Sequence, residues 1–134
     1  MYKKISAAIL NNDIEKVKQL IKSKANVNYA PYSNTTLLWN ACTSENIEMV
    51  RLLLEAGADP NIMVKGVPSC LSIATEMDGR TEFVQLLLEY KASVKKDLNH
   101  GHGHSIYVAE CCGYDNILEL LQNNLESDNI YINQ

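Results

Sequence analysis

An all-α solenoid of four helix-turn-helix units with protruding finger loops is the fold class predicted for this 134-residue chain. Three observations carry it. The segment Val50 to Asn61 (VRLLLEAGADPN) has an echo 33 residues upstream, Val17 to Asn28, and another 34 residues downstream, Val84 to Val94. A fixed period of this length marks an array of one supersecondary unit. Within each copy the apolar residues recur at helical spacing. Finally, neither helix of a unit could bury its stripe alone, so neighbouring units must stack.

The second unit shows the design most fully. Thr36 is placed to cap a short helix whose apolar positions are Leu37, Leu38, Ala41 and Cys42. Asn46 is placed to cap a second helix with the stripe Met49, Val50, Leu53 and Leu54. Gly57 then supplies the left-handed conformation that stops it, and Pro60 leads out into a finger. In the third unit Ser69, Leu71 and Ala74 follow Thr36, Leu38 and Ala41 by 33 residues, with one extra residue in the turn through Glu76 to Gly79. The fourth unit, Ser105 to Leu121, is fainter, and its first helix arrives two residues late, which lengthens the loop from Val94 to Gly103. In the first unit Ile5 and Ala8 stand in the places of Leu38 and Ala41.

The units therefore run over about 1–28, 29–61, 62–95 and 96–124, and 125–134 is a C-terminal tail. Ile130 and Ile132 alternate with polar residues in that tail, which fits an extended strand or disorder. Gln19 and Gln122 interrupt the leucine triplets of the outermost units, beside Lys3, Lys4, Lys16 and Lys18 at one end and Asn123 and Asn124 at the other. Such polar ends predict a complete small array, since terminal repeats must face water.

Thr36-Leu37-Leu38-Trp39-Asn40-Ala41, Glu48 to Leu54 and Gly57-Ala58-Asp59-Pro60-Asn61 resemble the ankyrin repeat, whose pattern reads T-P-L-H-x-A-A, E-V-V-x-L-L-L and G-A-D-V-N. The resemblance covers roughly residues 2–124. It departs from the family at the proline after Thr36 and at the histidine position, which holds Ser6, Trp39, Ser72 and Tyr107. The hydrogen bonds that this histidine makes between repeats must therefore be replaced or lost.

Membership of that family implies a non-enzymatic module that binds a partner protein through its concave helix face and fingers. The family's partner-facing positions fall on Tyr32, Ser33, Thr35, Thr43 and Ser44 in the second unit, and on Lys65, Gly66, Pro68, Glu76 and Met77 in the third. In the fourth they fall near His100, Gly101, His102, Gly103, Cys111 and Cys112, and in the first on Leu10 and Asn11. Tyr and Met would supply apolar contact, and Ser, Thr and Asn adaptable hydrogen bonds. Small size and composition point to two narrower versions, an inhibitor or immunity-type protein and a pathogen protein that binds a host factor.

Bulk properties agree with a protein partner. The net charge of −4, with 10 Lys and only 2 Arg, argues against nucleic acid, because phosphate binding needs a basic face. No apolar run approaches the ~20 residues needed to cross a membrane. The opening Met1 to Leu10 is interrupted by Ser6 and reads as a first helix rather than an export signal, so a cytoplasmic monomer with reduced thiols is expected.

The sharpest local oddity is His100-Gly101-His102-Gly103-His104 followed by Cys111-Cys112, whose imidazoles and thiols could serve a metal- or redox-sensing protein. Known zinc spacings are not met, and the plainer reading is a glycine-flexible finger of contact residues with His104 as a helix cap. No metal and no cofactor is therefore expected. Adjacent helical side chains diverge by about 100°, so one of the two thiols should face the core and the other the surface. A catalytic set would need Cys111, a histidine and Asn99 or Asp97, with no motif to fix it. Lys95-Lys96-Asp97 reads as a solvated loop, and Trp39 as a residue packed between repeats rather than an interface anchor.

Overall fold

A computed structural model of the chain describes residues 1–31, 34–77, 81–100 and 104–132, with side chains to residue 127. The expected helices form in order: α1 (Tyr2–Leu10), α2 (Ile14–Lys22), α3 (Leu37–Cys42), α4 (Ile47–Glu55), α5 (Cys70–Glu76), α6 (Thr81–Glu89), α7 (Val94–Leu98), α8 (Ser105–Cys112) and α9 (Asp115–Ile132). No strand occurs among the described residues, as the all-α reading requires. The inner helices α1, α3, α5 and α8 stack side by side in that order, and α2, α4, α6 and α9 pair with them as the outer layer.

The caps are the ones expected from the residues. Thr36 accepts from the Trp39 amide at 3.1 Å, Asn46 from the Glu48 amide at 3.0 Å, and His104, through Nδ1, from the Tyr107 amide at 3.1 Å. Each satisfies an N–H that the first helical turn leaves without a partner. The core lies between the layers and runs unbroken from Ile5 to Leu121, through Leu38, Met49, Leu53, Leu71, Val84, Leu87 and Ile117. The helix stop recurs too: Lys24, Gly57 and Lys91 occupy one register position with φ of 65°, 97° and 73°.

A second device joins units through their loops. Asn28 donates to the Gly57 carbonyl at 3.0 Å and accepts from the Asp59 amide at 2.7 Å. One repeat on, Asn61 donates to the Lys91 carbonyl at 2.9 Å and accepts from the Ser93 amide at 2.7 Å. The side-chain amide, with one donor end and one acceptor end, suits this double contact to a neighbouring loop. The next register position holds Lys95, which has no acceptor, and there the clasp ends.

Two expectations are corrected. The lengthened loop after Val94 contains the helix α7, and Asp97 within it is 1% exposed rather than solvated. The chain beyond residue 124 continues α9 as helix to Ile132 instead of running extended.

Candidate functional site

The stacking of α1, α3, α5 and α8 sets equivalent residues of successive units in rows. One row is Leu10, Thr43, Glu76 and Cys111, and the next is Asn11, Ser44, Met77 and Cys112. Leu10 is 71% exposed, and Glu76 and Cys111 are also exposed. Thr43 and Ser44 are half-buried because their hydroxyls turn back onto the helix, donating to the Asn40 and Ala41 carbonyls at 2.6 Å each. Met77 is half-buried at the end of α5.

Of the finger residues, Thr35 is half-buried, donating to the Asn40 side chain at 2.5 Å while its carbonyl accepts from the Tyr2 hydroxyl at 2.7 Å. Lys65 is exposed at the tip of the second finger, and Pro68 is half-buried at its base. Lys65 also borders a groove of about 460 Å³ between the first two fingers, with Pro31, Asn34, Ile62, Met63 and Val64. Tyr32, Ser33 and His102 lie outside the described residues. Charged side chains of both signs are exposed: Glu76 and Glu110 on α5 and α8, Lys3 and Lys4 on α1, and Lys65, Lys95 and Lys96 on the fingers.

At the family's histidine position Trp39 and Ser72 donate hydrogen bonds of their own. Trp39 Nε1 donates to the Pro68 carbonyl at 3.0 Å, so the indole ties the second unit to the third, as a packed inter-repeat role requires. The Ser72 hydroxyl reaches Asp97 at 3.1 Å. Ser6 receives a longer contact, 3.4 Å, from the Asn40 amide. Tyr107 instead stands 57% exposed on α8, near His104 in an edge-on ring contact with centroids 6.2 Å apart. It is the site residue that the register alone passed over. The residue type gave no clear signal, since the second unit also holds a large aromatic here, Trp39, and that one packs.

Cys111 sits one turn beyond Tyr107 and raises the phenol's pKa above its ordinary value, first through a side-chain hydrogen bond, then through charge, with slight burial adding to both. Cys111 and Cys112 are both exposed, which corrects the expectation that one would face the core. Ala109 is the last residue of α8 in the core, so the final turn lies beyond it. Cys42 and Cys70 are buried and in no disulfide.

The two described histidines of the third finger, His100 and His104, are separately engaged. His100 Nε2 lies 2.5 Å from the Val67 carbonyl, and His104 caps α8. Among the described residues no three of His, Cys, Asp and Glu converge as a metal site. Asp97, one of the two candidates to orient Cys111, is drawn into contacts with serines, and the other, Asn99, is exposed. Also among the described residues, no helix is long and apolar enough to cross a membrane.

Stacked helix pairs, protruding fingers and exposed inner rows define an α-helical repeat array of the kind that binds other proteins. Residues 5–64 match the family described as ankyrin repeats (3 copies). The chain is 37% identical over 97 residues to the Ankyrin repeat and KH domain-containing protein mask-1 of Caenorhabditis elegans, covering 67% of this chain and 4% of that protein. It is also 37% identical over 54 residues to the Putative ankyrin repeat protein FPV222 of Fowlpox virus (strain NVSL), covering 40% of this chain and 7% of that protein. The chain thus spans a small fraction of the length of these curated relatives. With the match to the family and the fold in agreement, the chain is an ankyrin-repeat protein.

Proposed function

We propose that this protein is a non-enzymatic interaction module that binds a partner protein through the inner rows and the fingers. The observation that carries this reading is the row Leu10, Thr43, Glu76 and Cys111. It presents an exposed apolar side chain, a carboxylate and a thiol on helices whose opposite faces are locked in one core. Preformed surfaces of this kind bind with little ordering cost. The contact residues are Thr35, Thr43, Ser44, Lys65, Pro68, Glu76, Met77, His100 and Cys111, with Tyr32, Ser33 and His102 completing the set. The working form is a monomer in the cytoplasm. The narrower versions remain an inhibitor or immunity-type protein and a pathogen protein acting on a host factor. The similarity to a fowlpox virus protein supports the latter.

The test is affinity capture from the native organism followed by mass spectrometry, comparing the natural chain with Leu10→Arg combined with Glu76→Arg. Both side chains are exposed, so the double variant keeps its helical circular dichroism. A specific protein captured by the natural chain and lost by the variant is the expected result. Undiminished capture by the variant would remove this face from consideration.

A further inference from the structure

Between the third and fourth units the asparagine clasp is replaced by a buried carboxylate. Asp97 Oδ1 accepts from the hydroxyls of Ser69 and Ser72, the latter at 3.1 Å. Its Oδ2 accepts from the Ser105 amide at 2.8 Å and the Ser105 hydroxyl at 2.5 Å. Ser69, Ser72, Asp97 and Ser105 are all at most 3% exposed. One side chain thus holds α5, α7 and the start of α8 together.

The segment it holds is short, and it lies against α9 as well as α5 and α8. α7 has five residues, far below the length at which a helix is stable alone. Val94 is its one fully buried apolar side chain, Leu98 is half-buried, and the remaining side chains other than Asp97 are exposed. Two further hydrogen bonds lie at its ends: the Ser93 amide on Asn61, and His100 on the Val67 carbonyl.

We infer that Asp97 is the latch of a helical strap, residues 93–100, which opens as one unit from α5, α8 and α9 while the first two units stay folded. Asp97 touches no partner-facing atom, so it is a positioning residue. It sets His100 on the strap and His104 at the head of α8, and through them the end of the proposed binding surface. That last consequence rests on the interaction reading above. The experiment below reads the strap itself, so the latch can fail while the binding reading stands, and the reverse.

Hydrogen–deuterium exchange of the whole chain, followed by mass spectrometry, is the test. In Asp97→Ala, amides of α7 and the first turn of α8 should exchange about tenfold or more faster, while those of α3 and α4 keep their rates. In Asp97→Asn the retained oxygen still accepts from Ser105, and the protection should be largely restored at α8 and only partly at α7. Unchanged exchange at residues 93–108 would overturn the inference, and so would a rise spread evenly over all units. Should Asp97→Ala fail to fold, the asparagine variant, which keeps the core volume, decides by the same criterion of local against even exchange.

Discussion

Exchanging residues among the three helix stops gives a test whose sign differs from site to site. Lys24, Gly57 and Lys91 hold the same register position, all with positive φ. A left-handed backbone costs an L-residue about 1–2 kcal/mol, which glycine does not incur. Replacing glycine also removes freedom from the unfolded chain, which returns about 0.4–1 kcal/mol. At Gly57 an added Cβ meets nothing within 4 Å, so no packing term enters. Gly57→Ala should then destabilise by up to about 1.6 kcal/mol, and by roughly 0.8 kcal/mol at the midpoints of the two effects. Lys91→Gly should stabilise by a similar amount, because Lys91 is exposed and its carbonyl, the part used by Asn61, is kept. Urea titrations followed by circular dichroism at 222 nm read both changes, and the midpoints should move in opposite directions. On heating, each kcal/mol corresponds to a shift of roughly 3–5 °C for a chain of this size. A less stable Lys91→Gly, or a Gly57→Ala chain indistinguishable from the parent, would refute the backbone argument and assign the position's role to side-chain contacts.

Two further outcomes follow from the contacts between units. Asn61→Ala removes both bonds of the second clasp, and since the site is half-buried water replaces them in part, so a loss of about 1–2 kcal/mol is expected from urea unfolding. Cys111→Ala should let the Tyr107 phenol give up its proton at lower pH than in the natural chain. The raised pKa comes chiefly from the hydrogen bond to that thiol and from its charge, and both favour the neutral phenol. The change falls in the alkaline range, above the ordinary phenol value of about 10, and is read from the Cζ resonance of 13C-labelled tyrosine with Tyr107→Phe for assignment. An unmoved titration would show that the two side chains do not interact in solution.

Much of the candidate surface could be read from the residues because register carries it. Leu10, Thr43, Glu76 and Cys111 share a repeat position, and a period fixed by leucines places them in one row whatever their own chemistry. Exposure was less legible. Thr43 and Ser44 turn their hydroxyls onto carbonyls of α3, an arrangement that competes with binding and leaves no trace in composition. Tyr107 departs from the repeat, and whether such a residue packs, as Trp39 does, or stands in solvent depends on the neighbour it meets.

What the chain specified by itself is what short-range physics decides. A cap needs only an acceptor three residues before a free amide, a helix stop needs one tolerant backbone position, and an amphipathic stripe needs only spacing. Thr36, Asn46, His104, Gly57 and the leucine triplets are of this kind, and so the four units and their order follow from them. The tertiary structure alone decided what becomes of polar side chains brought together from distant places. Asp97 in a run with two lysines looks like a solvated loop until Ser69 and Ser72, 28 and 25 residues earlier, are folded over it. Burying a carboxyl is costly unless donors surround it, and the two serine hydroxyls on Oδ1 come from another unit. The same holds for His100 on Val67 and for Asn61 on Lys91, whose partners lie 33 and 30 residues away. Local pattern thus built the array, and long-range desolvation and hydrogen bonding determined which of its loops are held and by what.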